Sequence, residues 1–193
     1  MRISKISRET LETSIEISVN LDGSGVFRGT TSVGFFDHLL SILSKHSSID
    51  IEIIKCKGDT HVDFHHLVED FGIVLGKCFD KAIGDKKGIS RFGFGSVPLD
   101  EALSQVSLDV SGRPYLYISP HISQGNIREF DMELLEVFFL GFVREAKITL
   151  HIDLVRGSNR HHIAESVFKS FALALKNAIK IVSDTLPSTK GVL

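Results

Sequence analysis

The sequence contains no tryptophan, two tyrosines, two methionines, four prolines and two cysteines. Cys56 and Cys78 are too few for a disulfide framework, and their spacing matches neither a zinc ribbon nor a CxxC pair, so a reducing cytoplasm is expected. No apolar run approaches the roughly 18 residues of a membrane span. The start, Met1-Arg2-Ile3-Ser4-Lys5, lacks the apolar stretch of a signal peptide, so neither export nor insertion is expected. An excess of one charge is also missing: 22 Lys and Arg against 24 Asp and Glu leave a net charge of −2, no global field for nucleic acid or an anionic membrane. Against these shortages stand 193 residues, 42% of them hydrophobic, enough to bury a core without disulfides or a structural metal. Histidine is over-represented, with nine copies and two adjacent pairs.

Thr13 to Asn20 alternates apolar and polar residues and leads into Asp22-Gly23-Ser24-Gly25, which predicts a strand and a hairpin-like reversal. Phe35, Phe36, Leu39, Leu40, Ile42 and Leu43 fall at helical spacing, Ile49, Ile51 and Ile53 alternate, and Phe64 to Ile83 repeats at three and four residues up to Gly84. The first half therefore reads β-β-α-β-α. The second half repeats the order, with strands near Ala102 to Val110 and Tyr115 to Ser119, a helix through Leu134 to Phe139, a strand from Ile148 to Leu154 and a helix from about His161. Shifting the chain by 96 positions places His65, His66 and Glu69 on His161, His162 and Glu165; upstream, a shift of 99 places Gly58 on Gly157. The pattern predicts an α+β fold, one domain of two tandem, pseudo-twofold-related β-β-α-β-α halves (about 1–87 and 88–193). Lys86-Lys87-Gly88 is the joint.

The repeated element is His-His-x-x-Glu. At about 100° per residue the Glu lies angularly between the two imidazoles, which diverge, so each motif can serve two metal sites. Two such motifs, with His38 and His46 also near in sequence, supply nitrogen and oxygen donors for ions of borderline hardness. A packing role explains the repetition poorly, since cores tolerate exchange while these polar residues recur at identical spacing.

Several blocks in this order resemble imidazoleglycerol-phosphate dehydratase, a family of histidine biosynthesis: GFFDHLL from Gly34, GDTHVDFHHLVEDFG from Gly58, RFG from Arg91, PLDEAL from Pro98, SGRPYL from Ser111, HHIAESVFKSFALAL from His161 and PSTKGVL from Pro187. The resemblance spans nearly the whole chain. It implies a duplicated unit like the second domain of a small-subunit ribosomal protein, and a large cage-like homo-oligomer of about 24 subunits with sites between them. It also implies two Mn²⁺ ions per active site, no organic cofactor, and conversion of imidazole glycerol phosphate to imidazole acetol phosphate with loss of water. His38, His65, His66, Glu69, His161, His162 and Glu165 fall on the family's metal-ligand positions, and Arg91, Arg113, Lys169, Ser188 and Lys190 on its phosphate-binding positions. A phosphomonoester dianion suits guanidinium forks and an ammonium point charge. Lys169 also stands four residues after Glu165, in the order of a helical ion pair.

The reaction removes a proton from carbon and a neighbouring hydroxyl beside an imidazole, which calls for Lewis-acid help and no redox chemistry. Glu12, read as part of the first strand, aligns with a substrate-contacting position and is assigned as general acid or base, with Glu165 as the competing choice. Asp100 and Glu101 are read as shaping a turn or supporting the ligands, while His121 and His151 are read as structural. The chain departs from the pattern at Val137, where His or Glu is common, and at Phe64, where Asp is common; these departures motivate a second reading, a non-catalytic metal-binding homo-oligomer. RNA binding, known elsewhere in the broader fold, is opposed by the near-neutral charge.

Overall fold

The alternation at Thr13–Asn20 forms a strand whose odd residues, Ile15, Ile17 and Val19, are buried while its even residues are half-buried. In the computed structural model, which describes residues 1–193, the first half comprises β1 (Ile3–Glu9), β2 (Thr13–Asn20), β3 (Phe27–Arg28), α1 (Gly34–Ser47), β4 (Asp50–Gly58) and α2 (His65–Ile83). The second half comprises β5 (Phe92–Leu99), β6 (Ala102–Asp109), β7 (Tyr115–Ile118), β8 (Asn126–Ile127), β9 (Phe130–Asp131), α3 (Glu133–Ala146), β10 (Thr149–Arg156) and α4 (Arg160–Ala178).

Two four-stranded sheets share one topology, β1-β2-β4-β3 and β5-β6-β10-β7, each antiparallel except for a last strand added in parallel. The α+β class and the duplication are thereby present in the strand order itself. Three details differ from the sequence reading. The partner of β2 across a hairpin is the preceding β1, joined by the Thr10–Glu12 turn, whereas Asp22 to Gly25 leads only to the two-residue β3. Glu12 therefore sits in a turn and not in a strand. The third is β5, whose glycines and proline give it the look of a loop. A Cβ on Gly93 would lie 1.9 Å from the Ala174 carbonyl oxygen and one on Gly95 2.1 Å from that of Ser170, so these glycines let β5 lie against α4.

The helices pair across the halves. α1 packs on α4, and α2 packs on α3, where Gly72, Gly76 and Gly141 bring the two backbones close. A continuous core of 50 buried hydrophobic residues runs through both halves, with Phe36, Phe71, Phe138, Phe139, Phe142, Phe168 and Phe171 at its centre. These aromatic contacts set the relative rotation of the helices. They therefore also set which polar residues meet at the helix N-termini.

A candidate metal centre at the helix N-termini

Two local devices fix the start of α1. Asp37 accepts hydrogen bonds from the Thr31 backbone (2.7 Å) and from the hydroxyls of Thr30 and Thr31 (both 2.6 Å), and Ser32 takes the left-handed φ of 70°. At α4, Asn159 is the cap, its Oδ1 accepting from His161 N at 2.9 Å and His162 N at 3.4 Å. Asp63 has the corresponding role at α2, accepting from His65 N at 2.7 Å.

The α1–α4 pairing brings His38 onto the second-half motif. His38 Nε2 lies 2.8 Å and His161 Nε2 2.9 Å from the same Glu165 oxygen, Oε1, while Lys169 Nζ donates to Oε2 at 2.7 Å. The Glu165 side chain is 13% exposed, whereas the imidazoles of His38 and His161 are 46% and 45% exposed, so a half-buried carboxylate anchors two rings that solvent can reach. Burial pushes the Glu165 carboxyl up, but the hydrogen bonds from Lys169, His38 and His161 outweigh it and bring its pKa to about 2. The three donor atoms lie within 4.8 Å of one another, and no other such trio exists in the chain. Two imidazole nitrogens and an ionised carboxylate oxygen, with no sulfur, fit a divalent ion of borderline hardness. Phe35 packs beside both rings, and a cavity of about 560 Å³ opens next to them, bordered by Phe64, Arg128 and Phe130.

The second histidine of each motif faces elsewhere. His162 Nδ1 lies 2.7 Å from Glu101 Oε2, and Glu101 Oε1 accepts from the backbone of Ser158 and Asn159 at 3.2 and 2.8 Å. These contacts hold Glu101 at about 2 and raise the pKa of His162, chiefly through the Glu101 hydrogen bond. His66 Nδ1 lies 3.0 Å from Asp59 and 3.8 Å from Glu12; Asp59 is the first cause of its raised pKa. Such contacts orient an imidazole and leave its other nitrogen free for a ligand.

Three of the seven metal-ligand candidates, His38, His161 and Glu165, thus come together within one chain; His65, His66, Glu69 and His162 do not join them. His46 lies about two turns along α1 from His38, near Lys169 and Lys176, and is outside the cluster. Among the phosphate candidates, Lys169 is at the cluster. Arg91 is at the opposite end of α4, paired with Asp109 (2.8 and 3.2 Å), donating to the Pro187 carbonyl (2.9 Å) and stacked on Phe92. Ser188 and Lys190 lie in the adjoining tail, and Arg113 follows Gly112, against which Leu193 packs. At about 1.5 Å per residue, the length of α4 puts this basic group roughly 25 Å from His161. His151 stacks between Tyr115 and Tyr117 on the sheet surface.

Nothing in the sequence marks Asp59 as a partner of His66, although it stands only seven residues before it. Glu101 had a signal there too: a shift of 89 positions puts Glu12, in the β1–β2 turn, on Glu101, in the β5–β6 turn.

Residues 31–175, which contain both motifs, match the family model described as imidazoleglycerol-phosphate dehydratase. The chain belongs to this family. A curated relative of that name from Methylobacillus flagellatus is 52% identical over 196 aligned positions, covering 100% of this chain and 98% of the relative; one from Thiobacillus denitrificans is 52% identical, covering 100% of each. The solved imidazoleglycerol-phosphate dehydratase of Staphylococcus aureus is 38% identical with a TM-score of 0.84, covering 93% of this chain and 99% of the other. That of Pyrococcus furiosus is 34% identical with a TM-score of 0.83, covering 97% and 100%. Membership of the imidazoleglycerol-phosphate dehydratase family makes this chain a hydro-lyase of histidine biosynthesis. No helix is long and apolar enough to cross a membrane.

Proposed function

We propose that the chain dehydrates D-erythro-imidazole glycerol phosphate to imidazole acetol phosphate in the cytoplasm, using two divalent ions, Mn²⁺ first among them, at sites completed by neighbouring copies in a large homo-oligomer. The convergence of His38 and His161 on one Glu165 oxygen, in a chain of this family, carries the reading. Sharing between copies is supported by the separation of four of the five phosphate candidates, Arg91, Arg113, Ser188 and Lys190, from that cluster, roughly 25 Å for a small substrate to span.

His38, His161 and Glu165 would hold one ion together with donors from a second copy, and His65, His66, Glu69 and His162 would supply the remaining ligands. Bound there, the ions supply Lewis acidity toward the substrate's imidazole ring. Lys169 holds the Glu165 carboxylate in place and ionised. Arg113, exposed and without an ion pair, is free to take the phosphate, whereas Arg91 is held ready by Asp109. Both Glu165 oxygens are engaged, Oε1 by His38 and His161 and Oε2 by Lys169, which suits a ligand, so Glu12 is assigned as the general acid or base. Glu12 is exposed at its turn and its carboxylate makes no hydrogen bond of its own.

The test is to remove metal, titrate Mn²⁺ back, and follow imidazole acetol phosphate formation and particle size by light scattering in the same samples. Turnover that returns with metal, from particles that shrink without it, is the expected result. Full turnover after exhaustive chelation would overturn metal dependence, and an unchanged size would count against shared sites.

A further inference from the structure

Leu11 and Glu12 stand exposed at the tip of the β1–β2 turn, where no hydrophobic packing fixes them. The turn is held from below by Asp70, which is 6% exposed. Asp70 Oδ1 accepts from Arg8 Nε at 2.8 Å and Oδ2 from Thr13 Oγ1 at 2.5 Å, so one carboxylate grips the strands on both sides of Glu12. Within the turn, Thr10 Oγ1 accepts from the backbone of Glu12 (3.1 Å) and Thr13 (2.9 Å). Asp70 also stands one helical turn after His66, so the same carboxylate ties the Glu12 turn to the helical turn carrying His66.

The second half makes this junction without charge. Asp70 corresponds to Ser166, whose hydroxyl donates to the Val97 carbonyl at 2.8 Å, while Arg8 and Thr13 correspond to Val97 and Ala102. An ion pair with one partner buried, like Arg8–Asp70, is often no more stabilising than its neutral replacement, so stability alone does not call for it. The two halves differ in what their turns must hold. Glu101 is locked by His162 and two backbone N–H groups; Glu12, 3.8 Å from His66, has no lock of its own. We propose that Asp70, through Arg8 and Thr13, is a positioning residue that fixes where the Glu12 carboxylate stands relative to His66 and the substrate. The proposal rests on Glu12 as the acid or base.

The experiment measures kcat, KM and bound Mn²⁺ on assembled enzyme for Glu12→Gln, Asp70→Asn, Arg8→Gln and the Glu12→Gln/Asp70→Asn double variant. Asp70→Asn and Arg8→Gln should each lower kcat roughly 10- to 100-fold, the scale of a misplaced catalytic group, with KM and metal content within about twofold. In the Glu12→Gln background, Asp70→Asn should cost less than about twofold more, because there is nothing left to position. Losses that multiply would overturn the role, as would full-rate Asp70→Asn beside a slow Glu12→Gln. Full-rate Glu12→Gln would instead remove the Glu12 assignment and the positioning role with it. Arg8→Gln cuts the clamp from its more exposed side and carries the test if Asp70→Asn does not fold.

Discussion

At the start of α4, His161 and Glu165 meet His38 across the α1–α4 pair, whereas α2, with His65 and Glu69, packs on α3, where the equivalent of His38 under the 99-residue shift is Val137. The neighbours of His65 are instead carboxylates: Asp63, Glu129, Asp131 and Glu133 line the cavity beside it. The partner of the second histidine differs too, Glu101 in one half and Asp59 in the other. Duplication has kept the His-His-x-x-Glu motif while its surroundings diverged, so two identical helical motifs have unequal means of gathering further donors within one chain.

The largest effect expected is from Glu165→Gln, which removes the negative charge and one of the two oxygens on which His38, His161 and Lys169 converge and should lower kcat/KM by roughly 10³-fold, measured in steady-state assays. On the proposed sharing of sites between copies, Glu69→Gln should cost as much. A mild Glu69→Gln would break the equivalence and leave the second half as the only centre.

The sheets offer a second contrast. Under the 89-residue shift Gly93 and Gly95 correspond to Ser4 and Ile6, so the first sheet stands off its helix by a side chain and the second does not. Gly93→Ala should cost roughly 2–3 kcal/mol by overpacking in denaturant melts, against well under 1 kcal/mol for Ser7→Ala at an exposed position of β1. A next effect is a gain: Val137→His restores the donor that symmetry predicts and should tighten Mn²⁺ uptake about tenfold in chelator competition. No gain would mean that the α2–α3 geometry, and not the missing donor, separates the halves.

The smallest effects are in titration. In metal-free protein, Glu101→Gln should lower the pKa of His162 toward that of a free imidazole, while Glu12→Gln should move His66 less, since Asp59 is its main partner; histidine NMR reads both. The signs follow from the shifts. A raised histidine pKa favours the fold below the ordinary imidazole value and loses that contribution as pH rises through the folded value. The depressed carboxyls of Glu101 and Glu165 contribute above the ordinary carboxylate range and lose their contribution as pH falls toward about 2. Bound metal displaces the histidine protons, so uptake should weaken as pH falls through the imidazole range.

The four helices, the strands β2 and β4 and the repeated His-His-x-x-Glu were legible because their apolar spacing reports burial directly. The β5 strand was not, because Gly93 and Gly95 answer to the backbone of α4, a neighbour some 80 residues away in the chain. The Asp22 to Gly25 reversal misled for a related reason: turn residues mark where a chain bends, not which strand it bends toward. Among site residues, His161 and Glu165 announced their pairing by their four-residue spacing, whereas the meeting of His38 with Glu165 spans 127 positions.

The sequence by itself determined the duplication, the donor types and the family, since these are properties of residue identity and spacing. Only the tertiary structure decided that α1 pairs with α4 across the halves, that Glu101 and Asp59 orient the second histidines, and that the phosphate-binding candidates at Arg91 and Arg113 stand a helix length from the cluster of His38, His161 and Glu165. Those relations depend on how buried phenylalanines and close-packed glycines rotate one helix against another, and that rotation is fixed by contacts between segments far apart in the chain.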